Sequence, residues 1–209
     1  GMTGVVASSG GHCEDCAIAK AHHQPRSREP IPRHTKVLDL VYSDVVGPME
    51  TSSVGGFRFA VRFVDSFSRY ARVFFLKAKS ESLSCFQAFC SDVGVPRALR
   101  TDGGGEYSSK DFASFCRSRG IKHEFTAPYS PHQNGVAERR WRTTVEMTRC
   151  LLRAAGLPNT LWVRALDVAF YITNRCLSSS LPMGKTPYEL FFGKQPDVSH
   201  LRVFGCAAF

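Results

Sequence analysis

Long hydrophobic runs are missing from this 209-residue sequence. No stretch of about 18 apolar residues occurs, so no membrane-spanning helix is expected. The opening "GMTGVVASSGG" lacks a basic start followed by an apolar block, so no signal peptide is expected either. Acidic residues are in deficit: 18 Asp and Glu stand against 27 Lys and Arg, giving +9 and a pI near 9.3. A chain this basic is suited to a polyanion, and nucleic acid is the commonest one. There is no internal repeat, which sets aside solenoids and propellers. At 43% hydrophobic and 11% aromatic residues the chain is globular rather than disordered.

Cysteine is plentiful, but metal-ligand spacing is not. Of eight cysteines only Cys13 and Cys16, in "CEDC", have the separation a zinc site uses. Cys85, Cys90, Cys116, Cys150, Cys176 and Cys206 are scattered singly and read as reduced core residues of an intracellular protein.

Residues 1–35 are rich in Gly, Ser and His, then in Pro and Arg, and read as a partial module and linker. A compact core is expected over 36–156, with a helical extension over 157–209. "KVLDLVYSDVV" alternates as a strand ending near Asp44. Two more strands, Phe57–Val64 and Tyr70–Leu76, flank a tight turn at Asp65–Arg69, where Asp65 reads as a turn former. A helix follows in "SESLSCFQAFCSDV", with Ser80 or Ser82 as its N-cap. "VPRALRT" is a short strand stopping at Asp102, "SSKDFASFCRSRG" a helix closed by Gly120, and "IKHEF" another strand. Helices are then expected from Ala137 to about Ala155, with Ser130 or Asn134 as N-cap, and again from Pro158. This order predicts an α/β protein with one mixed sheet, antiparallel at first and parallel afterwards.

Asp44 and Asp102 both fall where strands are expected to end, which is where α/β sheets bind ligands. The glycines after Asp102 allow a close approach to the backbone. On the long helix, Ala137, Trp141, Thr144, Thr148, Leu151 and Ala155 form one stripe that packs on the sheet. Glu138 projects roughly 100° from that stripe, in about the direction of Arg142, Arg149 and Arg153. Alternatively, each aspartate is an ordinary turn residue and Glu138 an i,i+4 partner of Arg142. If the three carboxylates converge, their repulsion calls for a cation, and oxygen ligands suit Mg²⁺ or Mn²⁺. Two such ions about 3.5–4 Å apart activate an attacking oxygen and stabilise the leaving one at a phosphodiester.

The spacing of Asp44, Asp102 and Glu138 resembles the D,D(35)E signature of retroviral and retrotransposon integrases. The words "YSDVVGPM", "FVDSFSRYARVFFLK", "LRTDGGGEY", "GIKHEFTAPYSPHQNGVAERR", "LWVRALDVAFYITNR" and "TPYELFFGKQPDVSHLRVFGCAAF" are similar to copia-type long-terminal-repeat elements, from about residue 13 onward. Two positions depart from the family pattern, which usually has Asn where Gly103 stands and often has Asn where Trp141 stands.

The resemblance implies an RNase H-like fold, a five-stranded mixed sheet flanked by helices. It implies trimming of cDNA 3′ ends and their transesterification into host DNA. Asp44 and Asp102 would bridge two Mg²⁺ or Mn²⁺ ions, and Glu138 would hold one. Double-stranded DNA would be gripped by His132, Gln133 and Asn134 and by Arg139, Arg140, Arg142 and Arg149. Cys13 and Cys16 resemble half of a zinc module whose histidines would lie upstream, so Zn²⁺ is expected only with that half present. Self-association is expected, with no membrane and no small-molecule substrate. Action on host DNA would be nuclear, and the polyprotein or virus-like particle stage cytoplasmic. The competing readings are a domesticated or decayed copy that binds DNA without catalysis, and a nuclease on the same fold.

Overall fold

Alternation of apolar side chains builds the centre of this protein, whose computed structural model describes residues 34–126, 135–178, 181–182 and 184–207, with backbone alone at 135–140. Cys13, Cys16, Ser130, His132, Gln133 and Asn134 lie outside the described residues, as do the side chains of Glu138, Arg139 and Arg140. The described residues belong to one compact unit, Arg33–Phe209.

Strands β1 (Val41–Val46), β2 (Phe59–Asp65) and β3 (Ala71–Leu76) form an antiparallel meander. Asp65 makes the β2–β3 turn possible. Its buried carboxylate accepts hydrogen bonds from the Ser68 N–H at 2.7 Å, the Ser68 hydroxyl at 2.6 Å and the Leu38 N–H at 2.8 Å. The expected turn former therefore also anchors the chain entering β1. Helix α1 (Ser82–Val93) leads to β4 (Ala98–Thr101), and helix α2 (Lys110–Ser118) leads to β5 (Lys122–Phe125). Both strands are added in parallel, giving the order β3-β2-β1-β4-β5. This is the predicted five-stranded mixed sheet.

Strand period separates two cores. One face carries Val41, Val61, Phe63 and Leu99 against Phe86 and Phe89 of α1 and Phe112 of α2. The opposite face carries Tyr42, Ala60, Val64, Val73 and Ala98 under helices α3 (Gly135–Ala154) and α4 (Trp162–Arg175). On α3 the expected stripe holds: Thr144 and Thr148 are buried, Trp141 and Leu151 half-buried, and Arg142, Arg149 and Arg153 exposed. Helix α4 buries Trp162, Ala165, Leu166 and Phe170 in the same core. It is locked to the sheet edge by Asn174, which accepts from the Ala71 N–H at 3.0 Å and donates to the Ala71 carbonyl at 2.8 Å. A last short helix, α5 (Pro187–Phe192), is capped by the Thr186 hydroxyl, which accepts from the Glu189 N–H.

Some local expectations are corrected. Neither Ser80 nor Ser82 caps α1: a 3-10 turn, Lys79–Glu81, precedes it, and the Ser82 hydroxyl donates to the Lys79 carbonyl instead. Pro158 opens a 3-10 turn, Asn159–Leu161, before α4 begins at Trp162. Of the six single cysteines only Cys90 and Cys116 are buried and Cys85 half-buried; Cys150, Cys176 and Cys206 are exposed. Burial pushes the Cys85, Cys90 and Cys116 thiols up to about 11, so they stay protonated and inert.

Candidate active site

Asp44 is not at the end of its strand. It sits within β1, because the β1–β2 ladder runs on past it through Val45↔Val61 and Val46↔Ala60. What ends near Asp44 is the parallel pairing. β1 and β4 are in register at Val41↔Leu99 and Tyr42↔Arg100, and β4 stops at Thr101. Asp44 lies two residues beyond Tyr42 within β1, and Asp102 lies two beyond Arg100 as the first residue after β4. Parity decides the face. Tyr42 points into the core under α3 and α4, so Asp44, in step with it on β1, belongs to the same face, and Asp102 follows the end of the neighbouring strand.

Arg62 faces Asp44 across β1 and β2. Its Nη2 donates to Asp44 Oδ2 at 3.1 Å, with the Arg62 side chain 2% and the Asp44 side chain 33% exposed. The guanidinium also lies over the indole of Trp141, 5.3 Å from the ring centroid, and Trp141 packs on Phe170 of α4. Trp141 therefore ties α3 to the strand beside Asp44. Glu138 lies three residues earlier in α3, about 4.5 Å back along the helix axis. The fold thus brings the backbone of Glu138 to the face that holds Asp44.

Beneath β1, on the opposite face, the Ser43 and Tyr107 hydroxyls share a 2.6 Å hydrogen bond. Burial holds the Tyr107 phenol far above its ordinary range; the bond to Ser43 opposes this, while Asp44, Asp102 and Glu106 reinforce it. Ser43 is thereby fixed, and Asp44, its chain neighbour, with it. The Asp102 carboxylate accepts from the Gly104 N–H at 3.2 Å, and Asp102 is exposed. A Cβ at Gly104 would stand 2.7 Å from the Glu106 carboxylate, which would have to shift. Glu106 is only 7% exposed and has Lys79 Nζ at 3.7 Å. His123 of β5 shares a 3.0 Å hydrogen bond with Thr101, next to Asp102, and burial lowers its pKa below the usual histidine value.

Arg142 approaches Glu146, at 4.0 Å; the alternative i,i+4 pairing with Glu138 involves a side chain outside the described residues. Arg142 and Arg149 are exposed and available to a polyanion. Asp44 and Asp102 are hard oxygen donors, the chemistry a Mg²⁺ or Mn²⁺ ion requires. Among the described residues no three His, Cys, Asp or Glu side chains converge on one ion position; the Glu138 side chain lies outside them. Arg62 is a cation already standing at Asp44. Sequence reasoning missed Arg62, Tyr107 and Glu106. The signal for Arg62 was an arginine in the middle of the otherwise apolar "FAVRFVD", where a buried guanidinium demands a counter-ion.

The five-stranded order β3-β2-β1-β4-β5 and the aspartates near the β1–β4 junction accord with the comparisons: the Integrase core domain family matches residues 34–131. That segment includes Asp44 and Asp102 and stops before Glu138. The chain belongs to the retroviral and retrotransposon integrase cores, of the copia type. It is 43% identical over 203 residues to the retrovirus-related Pol polyprotein from transposon TNT 1-94 of Nicotiana tabacum, covering 94% of this chain and 15% of the polyprotein. It is 37% identical over 203 residues to the polyprotein from transposon RE2 of Arabidopsis thaliana, with 94% of this chain and 14% of that one covered. The chain thus spans about a seventh of these relatives.

The catalytic core domain of HTLV-2 integrase, solved in complex with magnesium as a trimeric form, superposes with a TM-score of 0.58 at 26% identity, over 78% of this chain and 99% of that one. A chain of the simian T-cell lymphotropic virus intasome, solved with the PP2A regulatory subunit B56 gamma, gives a TM-score of 0.67 at 22% identity, over 94% of this chain and 74% of that one. The architecture is the RNase H-like fold of these integrase cores.

Proposed function

We propose that this integrase core catalyses metal-dependent phosphodiester transesterification, trimming the 3′ ends of element cDNA and joining them to host DNA. The observation that carries this reading is the parallel register of β1 and β4, which puts Asp44 and Asp102 each two residues past the Tyr42–Arg100 pair, with the helix of Glu138 crossing the face of Asp44. Asp44, Asp102 and Glu138 would hold Mg²⁺ or Mn²⁺, two ions in the full assembly. A bound ion supplies Lewis acidity to the scissile phosphate and lowers the pKa of the attacking oxygen. Asp44 and Asp102 set the position along the sheet, and the Ser43–Tyr107 bond keeps β1 from shifting beneath them. Arg142 and Arg149 offer exposed charge to the DNA backbone, with Arg139, Arg140, His132, Gln133 and Asn134 completing the grip. The chain acts as a multimer holding two DNA ends, in the nucleus when host DNA is the target and in the cytoplasm during the particle stage. Cys13 and Cys16 contribute to a zinc site once upstream histidines are present.

Strand transfer with candidate element ends tests this. Asp102→Asn and Glu138→Gln are expected to reduce transfer to background while leaving the cooperative melt in place. Undiminished transfer in either variant overturns the assignment. The Arg62 ion pair at Asp44 favours one second reading, a DNA-binding module without catalysis. That reading requires steeply salt-dependent duplex binding and no metal-dependent cleavage.

A further inference from the structure

We propose that Arg62 is a built-in cation of this site: its guanidinium, held between the Asp44 carboxylate and the Trp141 indole, weakens the binding of a divalent ion at Asp44. The inference rests on the carboxylate-site reading above. Guanidinium keeps its charge at every accessible pH, so Arg62 cannot withdraw by deprotonating. Nor does it have water to retreat into, since its side chain is 2% exposed in the centre of β2, on the face that carries Ala60 and Val64 of the core. One carboxylate oxygen, Asp44 Oδ2, is engaged at 3.1 Å. The guanidinium face is covered by Trp141, whose ring lies 5.3 Å away and is itself packed on Phe170. Such a ring attracts a cation and pins its plane.

Any ion that shares Asp44 does so beside a fixed positive charge. Opposite charges stabilise an ion, and a like charge at contact distance in a partly desolvated site repels it. Arg62 also offers Asp44 the neutralisation that convergent carboxylates otherwise take from a metal. The site is therefore pre-assembled without an ion, at the expense of ion affinity. Trp141 belongs to the same device, because it comes from the helix of Glu138 and fixes where the guanidinium lies.

The test is Mn²⁺ titration by calorimetry on the full chain, with thermal melts to confirm folding. Arg62→Gln is expected to bind Mn²⁺ about tenfold tighter than wild type, or more. Arg62→Lys, which keeps the charge, stays within roughly twofold of wild type. The gain disappears in Arg62→Gln combined with Asp44→Asn. A merely structural arginine predicts the reverse, because loosening the site weakens binding. Equal or weaker binding by Arg62→Gln, or a gain that survives Asp44→Asn, overturns the proposal. Should Arg62→Gln not melt cooperatively, Trp141→Leu replaces it: removing the ring that pins the guanidinium is expected to tighten Mn²⁺ binding about threefold, and unchanged affinity overturns the proposal. Strand transfer judges the underlying function separately. A chain that transfers strands with no Arg62 effect on Mn²⁺ refutes this inference alone. A chain inactive in transfer whose Arg62→Gln form gains an Asp44-dependent site upholds it and refutes the catalytic reading.

Discussion

Asp44→Asn, the obvious way to disable the site, is expected to destabilise the fold as well. The variant removes the charge that faces Arg62 at 3.1 Å while the guanidinium stays in the core. Two unit charges about 4 Å apart interact by about 1–4 kcal/mol between bulk-water and near-surface screening. Asp44 is one-third exposed, which places the pair in the lower half of that range, at about 1–2 kcal/mol. For a domain of this size the melt then falls by roughly 2–8 °C. The assay is urea unfolding of wild type, Asp44→Asn, Arg62→Gln and the double variant. Because removing one partner leaves the other charge in place, the double variant is expected to be less destabilised than the sum of the singles, with a coupling of about 1–2 kcal/mol. Coupling under about 0.5 kcal/mol refutes the argument, since that is what independent sites show. Asp102→Asn, an exposed carboxylate with one backbone contact, serves as the comparison and is expected to change stability by less than about 1 kcal/mol.

Two further predictions concern the frame. Asn174→Ala removes both hydrogen bonds to the buried backbone of Ala71 and is expected to cost about 2–4 kcal/mol in urea unfolding; Asn174→Asp, which sets a buried carboxylate against the Ala71 carbonyl, is expected to cost at least as much at neutral pH. The Lys122 ammonium and then the Arg100 guanidinium, at 2.9 and 2.7 Å, hold the Glu124 carboxyl below its usual value of 4.5. A depressed carboxylate stabilises the fold above its unfolded pKa and loses that contribution as pH falls through the folded one. Glu124→Gln should therefore flatten the stability profile between about pH 3 and 5 and leave the slope near neutrality unchanged, as measured by denaturation across pH.

The sequence by itself determined the elements and most of the carboxylate pattern, because those signals are local and periodic. Alternation in "FAVRFVD" and "ARVFFL" marked β2 and β3. The stripe from Trp141 through Thr144, Thr148 and Leu151 marked the buried face of α3, and with it the exposed arginines. Asp102 was legible because its strand ends one residue before it and three glycines follow. Asp44 was legible as a residue but misplaced as a strand end. Its hairpin with β2 extends the strand past it, and pairing partners cannot be read from one strand alone.

What only the tertiary structure decided is which distant residues share a surface. The register of β1 on β4 pairs Tyr42 with Arg100, two residues before Asp44 and Asp102, which are 58 residues apart along the chain (102 − 44). The order β2-β1-β4 puts Arg62 against Asp44, and the seating of α3 brings Trp141 over the guanidinium. Tyr107 reaches Ser43, and Asn174 reaches Ala71, by the same logic. These contacts depend on sheet order and helix docking, which are set by burying both faces of the sheet at once. No single segment carries that constraint, so the ion pair that shapes this site becomes visible only when β1, β2 and α3 are packed together.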